Sequence, residues 1–168
     1  MPRRLLDRCQ PDSIREFRAA ARQRFDDALA LSAARRRTAA IYLWGYAAEM
    51  IVKAAYFSFL GLGEADTITW PAHLRPAIDG GRNLGISWPR RSEGHNVRAW
   101  AELLIAERAA TIARAYRSPF DTSVQMYSQR IEYGWNEILR YHKNHAYLYE
   151  VRGIREAAEL FLVNSHRL

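Results

Sequence analysis

The chain has 168 residues, 49% of them hydrophobic and 26% charged, with six Pro and nine Gly. That is the length of one domain, 1–168, with enough apolar surface for a core, and it excludes a disordered or fibrous chain. The formal charge of +7 favours anionic partners such as nucleic acid, nucleotide or acidic lipid. However, only Lys53 and Lys143 are lysines, and the arginines are scattered along the chain, a distribution that coding bias produces as readily as a binding face does.

Cys9 is the lone cysteine, so no intrachain disulfide forms; this fits a reducing, cytoplasmic setting. The N-terminus "MPRRLLDRCQPD" has basic residues but no long apolar run after them, and so does not read as a secretory signal.

Pro11-Asp12-Ser13 reads as a helix start with Asp12 or Ser13 as cap. Ile14, Phe17, Ala21, Phe25, Ala28 and Leu31 then recur at three- and four-residue spacing, predicting a first helix over 13–34. Arg35-Arg36-Arg37 reads as a solvated turn. A second helix is predicted over 38–60, ended by Gly61-Leu62-Gly63. The apolar stretch 39–63 has the length of a membrane span, which needs ~20 residues. Glu49 and Lys53 stand in its middle, paired at i and i+4 and each costly in lipid. A helix buried inside a bundle, with no membrane, is the expectation.

From 64 to 94 the periodicity dissolves into a long loop rich in Pro, Gly and Trp, with one short helix near 72–78. Trp70 and Trp88, each before a proline, are expected to pin it to the body. A loop of this length in a compact domain is commonly functional. "GHNVRAWAELLIAERAATIARAY" predicts a third helix, capped by Asn96 and carrying Val97, Trp100, Leu103, Leu104, Ala110 and Ile112, with Ser118-Pro119 at its end. A fourth segment covers 122–139, and a last helix starts near 142–145 and runs to 164. No alternating strand pattern occurs. The fold class is all-α, an antiparallel helical bundle of four to five main helices with a long loop between the second and third.

No phosphate-cradling glycine loop is present. His142 and His145 are three apart but have no third ligand nearby, so neither a metal nor another cofactor is expected. The stretch "LRYHKNHAYLYE" concentrates chemistry. On an ideal helix Arg140 and His145 would point ~140° apart. They converge only if the helix begins between them, or across a dimer interface with one from each chain. Arg offers a fixed fork of donors to phosphate oxygens, and His takes a proton near neutral pH. A helix N-terminus would add amide donors to an anion. Arg140 equally suits an ion pair with Glu49 or Glu137. Tyr141, Tyr147 and Tyr149 suit base stacking, or core and interface packing. His95 reads as a loop or capping residue.

Three places resemble the HEPN superfamily of helical bundles. "RFDDALAL" followed by "AAIYLWGYAAEMIVKAAYFSFLG" looks like its helix pair, with Tyr46, Glu49, Lys53 and Ala54 in a Y-x-x-E-x-x-x-K-A run. "GHNVRAWAELL" is similar to its histidine-led third helix, and "RYHKNH" to its R-x(4–6)-H site. The resemblance implies a homodimer whose paired motifs cut RNA without a metal, of a toxin–antitoxin or defence type. Arg140 and His145 would then be catalytic. His142, Lys143 and Asn144 would contact nucleic acid or nucleotide, and Glu49 and Tyr141 would support the site. In the nuclease pattern a small polar residue follows the arginine, where this chain has Tyr141. The alternative is a relative without the activity, a protein-interaction module whose partner could be an antitoxin.

Overall fold

The computed structural model of the protein describes residue 9 and residues 11–89, 94–111 and 119–168. Among these residues the chain forms six α-helices and no strand: α1 (Ile14–Ala33), α2 (Arg37–Phe59), α3 (Arg75–Asn83), α4 (Val97–Thr111), α5 (Pro119–Gly134) and α6 (Leu148–Val163). The all-α expectation holds.

α2 is the axis of the bundle. It packs against α1, α4 and α6, while α5 closes the far side against α4 and α6. An apolar helix with buried positions all round needs neighbours on every side, and α2 buries residues from Thr38 to Phe57 on all its faces. None of the described helices is long and apolar enough to cross a membrane.

Local chemistry sets the helix ends. The Ser13 hydroxyl accepts the Glu16 N–H at 3.2 Å and starts α1. Arg35 takes a left-handed conformation, φ 59°, between α1 and α2. Gly61, at φ 89°, stops α2, and the Leu62 N–H returns to the Phe57 carbonyl at 3.1 Å. Asn96 caps α4, its side-chain oxygen taking the Ala99 N–H at 2.9 Å. The predicted Ile112 position and the helix end at Ser118 lie outside the described residues.

The 64–94 excursion holds more helix than expected. A π-helical turn at Trp70–Leu74 runs directly into α3. The excursion is stitched to the start of α1 by Ile68 N–H to the Asp12 carbonyl at 2.7 Å and Arg15 N–H to the Glu64 carbonyl at 3.0 Å. Trp88 is buried edge-on to Trp100, with ring centroids 5.2 Å apart, and pins the excursion as expected. Trp70 does not: it stays 44% exposed.

Two boundaries near the C-terminus differ from expectation. α5 ends at Gly134 rather than near 139, because Trp135 turns inward to α2 and donates its indole N–H to the Tyr42 carbonyl at 2.9 Å. A 3₁₀ turn then covers Glu137–Tyr141. α6 begins at Leu148 rather than at 142–145. The polar groups of Asn144, His145 and Ala146 bond to the start of α2 instead of to a helix of their own.

Candidate functional site

Arg140 projects from the 3₁₀ turn, which Asn136 caps by accepting the Ile138 N–H at 2.9 Å. The chain then runs extended across the N-terminus of α2. Asn144 clamps the α1–α2 turn from both sides. Its oxygen accepts the Thr38 N–H at 3.1 Å, and its amide donates to the Arg35 carbonyl at 2.8 Å. The Thr38 hydroxyl accepts the N–H groups of His145, at 2.9 Å, and Ala146, at 3.1 Å. A helix start carries unsatisfied N–H groups; here a distant segment satisfies one of them and is itself held in place.

This clamp brings two basic tracts together. Arg35 and Arg36 are exposed beside exposed Arg140, His142, Lys143 and His145. Among the described residues no carboxylate lies within ion-pair distance of these side chains. The 35–36 tract is thus solvated, as read, and lies against the 144–146 segment.

The predicted residues fall in two places. His142, Lys143 and His145 line an open cavity of about 450 Å³ with Thr38, Tyr147 and Glu150. Arg140 is not among its lining residues; its guanidinium lies 4.8 Å from the Tyr141 ring centroid and interacts with the Tyr42 and Tyr141 hydroxyls. Neither Glu49 nor Glu137 pairs with Arg140. Glu137 is buried with one carboxylate oxygen lacking a hydrogen-bond partner. The expected amide donors of the last helix lie past the cluster, where the Glu150 carboxylate already takes the Tyr147 N–H at 2.7 Å. Tyr141, Tyr147 and Tyr149 are exposed rather than core residues, and Tyr147 and Tyr149 stack with centroids 5.7 Å apart.

A second constellation runs along one stripe of α2, through Tyr42, Tyr46, Glu49 and Lys53. Glu49 is 2% exposed and accepts from the Lys53 ammonium. His95, delivered by the segment before α4, places Nδ1 at 3.1 and 3.2 Å from the two Glu49 oxygens. Burial alone would raise the Glu49 pKa; Lys53 and His95 outweigh it and hold the carboxyl below its ordinary value. Lys53 also stands over the Trp100 ring, 5.4 Å from its centroid. Tyr46 meets His95 edge-on at 5.7 Å and Tyr42 at 4.9 Å. Burial, with Tyr42 next, pushes the Tyr46 phenol well above its usual range, while Arg140 acts in the opposite sense. Arg140 is thus linked through two tyrosines to the buried Glu49–Lys53 pair, and Glu49 reaches it only at that remove.

The sequence reading missed His95 as a partner of Glu49, and missed Thr38 and Tyr42 altogether. A paired Glu and Lys inside an apolar helix signals burial and hence a need for further partners. Nothing local to residue 95 identifies it as one. Among the described residues no group of three or more His, Cys, Asp or Glu side chains could hold a metal ion. No family model matches the chain, and no curated protein or solved structure matches it.

Proposed function

We propose that the protein is a HEPN-like RNA-binding protein that acts as a homodimer and cuts RNA without a metal through Arg140 and His145. The supporting observation is the exposed basic face on which Arg140 lies clear of any carboxylate, among the described residues, and beside the His142–His145 segment. Because Arg140 and His145 serve different parts of this face, the reading pairs Arg140 of one copy with His145 of another. The Arg140 fork holds the non-bridging phosphate oxygens. The His145 imidazole takes the proton of the 2′-hydroxyl, whose oxygen attacks phosphorus. The 5′ oxygen leaves, taking a proton from water or the second imidazolium, and a 2′,3′-cyclic phosphate and a 5′-hydroxyl remain. Lys143 and His142 contact neighbouring phosphates, and exposed Tyr141 offers a stacking face. Such an activity fits a toxin–antitoxin or defence role.

One observation favours a second reading, a non-catalytic module for a protein partner. Tyr133, Tyr147, Leu148 and Tyr149 are all exposed, an apolar patch of the kind that marks an interface. Purified protein incubated with mixed RNA in EDTA separates the two. The nuclease reading expects cyclic-phosphate ends and a loss of about 10²-fold or more in His145→Ala and in Arg140→Ala. Wild type cutting no better than His145→Ala sinks it.

A further inference from the structure

Beside the Glu49–Lys53–His95 constellation lies a cavity of about 590 Å³ that the cutting reaction does not use. Its apolar walls come from Phe17, Met50, Leu74 and Trp70, and Tyr46 and His95 face it from α2 and the segment before α4. Trp70 lies across Gly94: a β-carbon there would come 3.2 Å from the indole ring, and at 44% exposure the ring is open to a ligand.

The hydrogen-bonding character of this cavity is one-sided. An ionised carboxylate only accepts, so the His95 Nδ1 facing Glu49 carries a proton, and the tautomer this selects has Nε2 as its acceptor. The His95 side chain lines the cavity and is 43% exposed, with Nδ1 turned to the buried Glu49. The carboxylates of Asp12 and Glu16 add two further acceptors at the rim. Among the described lining residues the cation is Lys53, which is 7% exposed and committed to Glu49. Aromatic walls with acceptors and, among the described residues, no free cation suit a flat, donor-bearing ring better than a phosphate.

We propose that this cavity binds a nucleobase bearing an exocyclic amine, stacked on Trp70, with its sugar–phosphate left outside on the Tyr42–Arg140 side. The proposal deepens the RNA reading, and rests on it for choosing a base over other flat rings. The same ring can arrive within an RNA strand or as a free nucleoside or nucleotide.

Calorimetry or NMR titration of the full chain with adenosine, cytidine, guanosine and uridine tests it, with single-stranded RNA titrated in parallel. Saturable binding of the three amine-bearing nucleosides is expected, several-fold weaker for uridine. It should fall at least tenfold in Trp70→Ala and several-fold in Asp12→Asn; both residues are at the surface, so their variants keep the fold. Arg140→Ala should weaken adenosine monophosphate while sparing adenosine. No saturable nucleoside binding at millimolar concentration, or binding indifferent to both Trp70→Ala and Asp12→Asn, overturns the site. RNA binding that persists without nucleoside binding overturns the cavity alone. Nucleoside binding without RNA binding instead sinks the RNA reading and leaves a free-nucleoside site.

Discussion

The indole of Trp135 occupies the space that a β-carbon on Gly45 would need: such an atom would come within 2.1 Å of the ring. The contact brings the end of α5 onto the middle of α2. The indole N–H donates to the Tyr42 carbonyl, and the ring meets Tyr46 edge-on at 5.3 Å. The 3₁₀ turn that carries Arg140 starts two residues later. Gly45 therefore helps set the position of Arg140. Gly45→Ala should destabilise by about 1–3 kcal/mol or more, the range for overpacking a filled core. Gly80, in α3 with open space around it, is the control; Gly80→Ala should stabilise by about 0.5–1 kcal/mol. Denaturant midpoints of the two variants decide the matter, and equal midpoints would refute the close approach.

Glu49 makes stability acid-sensitive. Its folded pKa lies below the ordinary unfolded value of about 4.3. Its contribution is thus complete above that value and is lost as pH falls through the lower folded pKa. Near neutrality Glu49→Gln should cost about 3–5 kcal/mol, because Lys53 is left buried without its counter-charge. Thermal melts from pH 7 to pH 3 should show the gap between wild type and variant narrowing below about pH 4.3. Adding Lys53→Met to Glu49→Gln should recover much of the loss at neutral pH. A gap that stays constant down to pH 3 would show that Glu49 is not the titrating group.

Asn144 joins the candidate site to the helix it crosses. Asn144→Ala removes a bond to the Thr38 N–H and a bond to the Arg35 carbonyl, and should cost about 1–2 kcal/mol, as for a lost helix cap. Hydrogen exchange should speed up at Thr38, His145 and Ala146 together. Faster exchange confined to His145 and Ala146 would mean that the clamp does not hold α2.

If the basic face contacts RNA, its cations should appear in the salt dependence of binding. Arg36→Gln and Lys143→Gln should each reduce the slope of log affinity against log salt by about 1, with little change in base preference. Unchanged slopes in both variants would place the RNA elsewhere.

Much of the architecture was legible because it depends on short-range pattern. The apolar spacing from Ile14 to Leu31 marks α1, Gly61 marks the end of α2, and Asn96 marks the start of α4. The paired Glu49 and Lys53 inside an apolar run signal a helix buried in protein. The last third was misread at its boundaries. Helical spacing continues past Gly134, but Trp135 finds better burial on α2, and the polar groups of 144–146 find partners at Thr38. Of the candidate residues, the exposure of the His142–His145 segment followed from its polarity. That Asn144 caps a helix more than a hundred positions away in sequence could not.

What the sequence determined alone is the helical class, the buried charge pair and the polar cluster before the last helix, since each arises among residues a few positions apart. Tertiary structure alone decided that His95 completes the Glu49–Lys53 pair, that the 35–37 arginines join the 140–145 segment, and that Trp70 opens onto a cavity. Those relationships join residues distant in sequence, and only the packing of α1, α4 and the 137–147 segment around α2 brings them within hydrogen-bond reach.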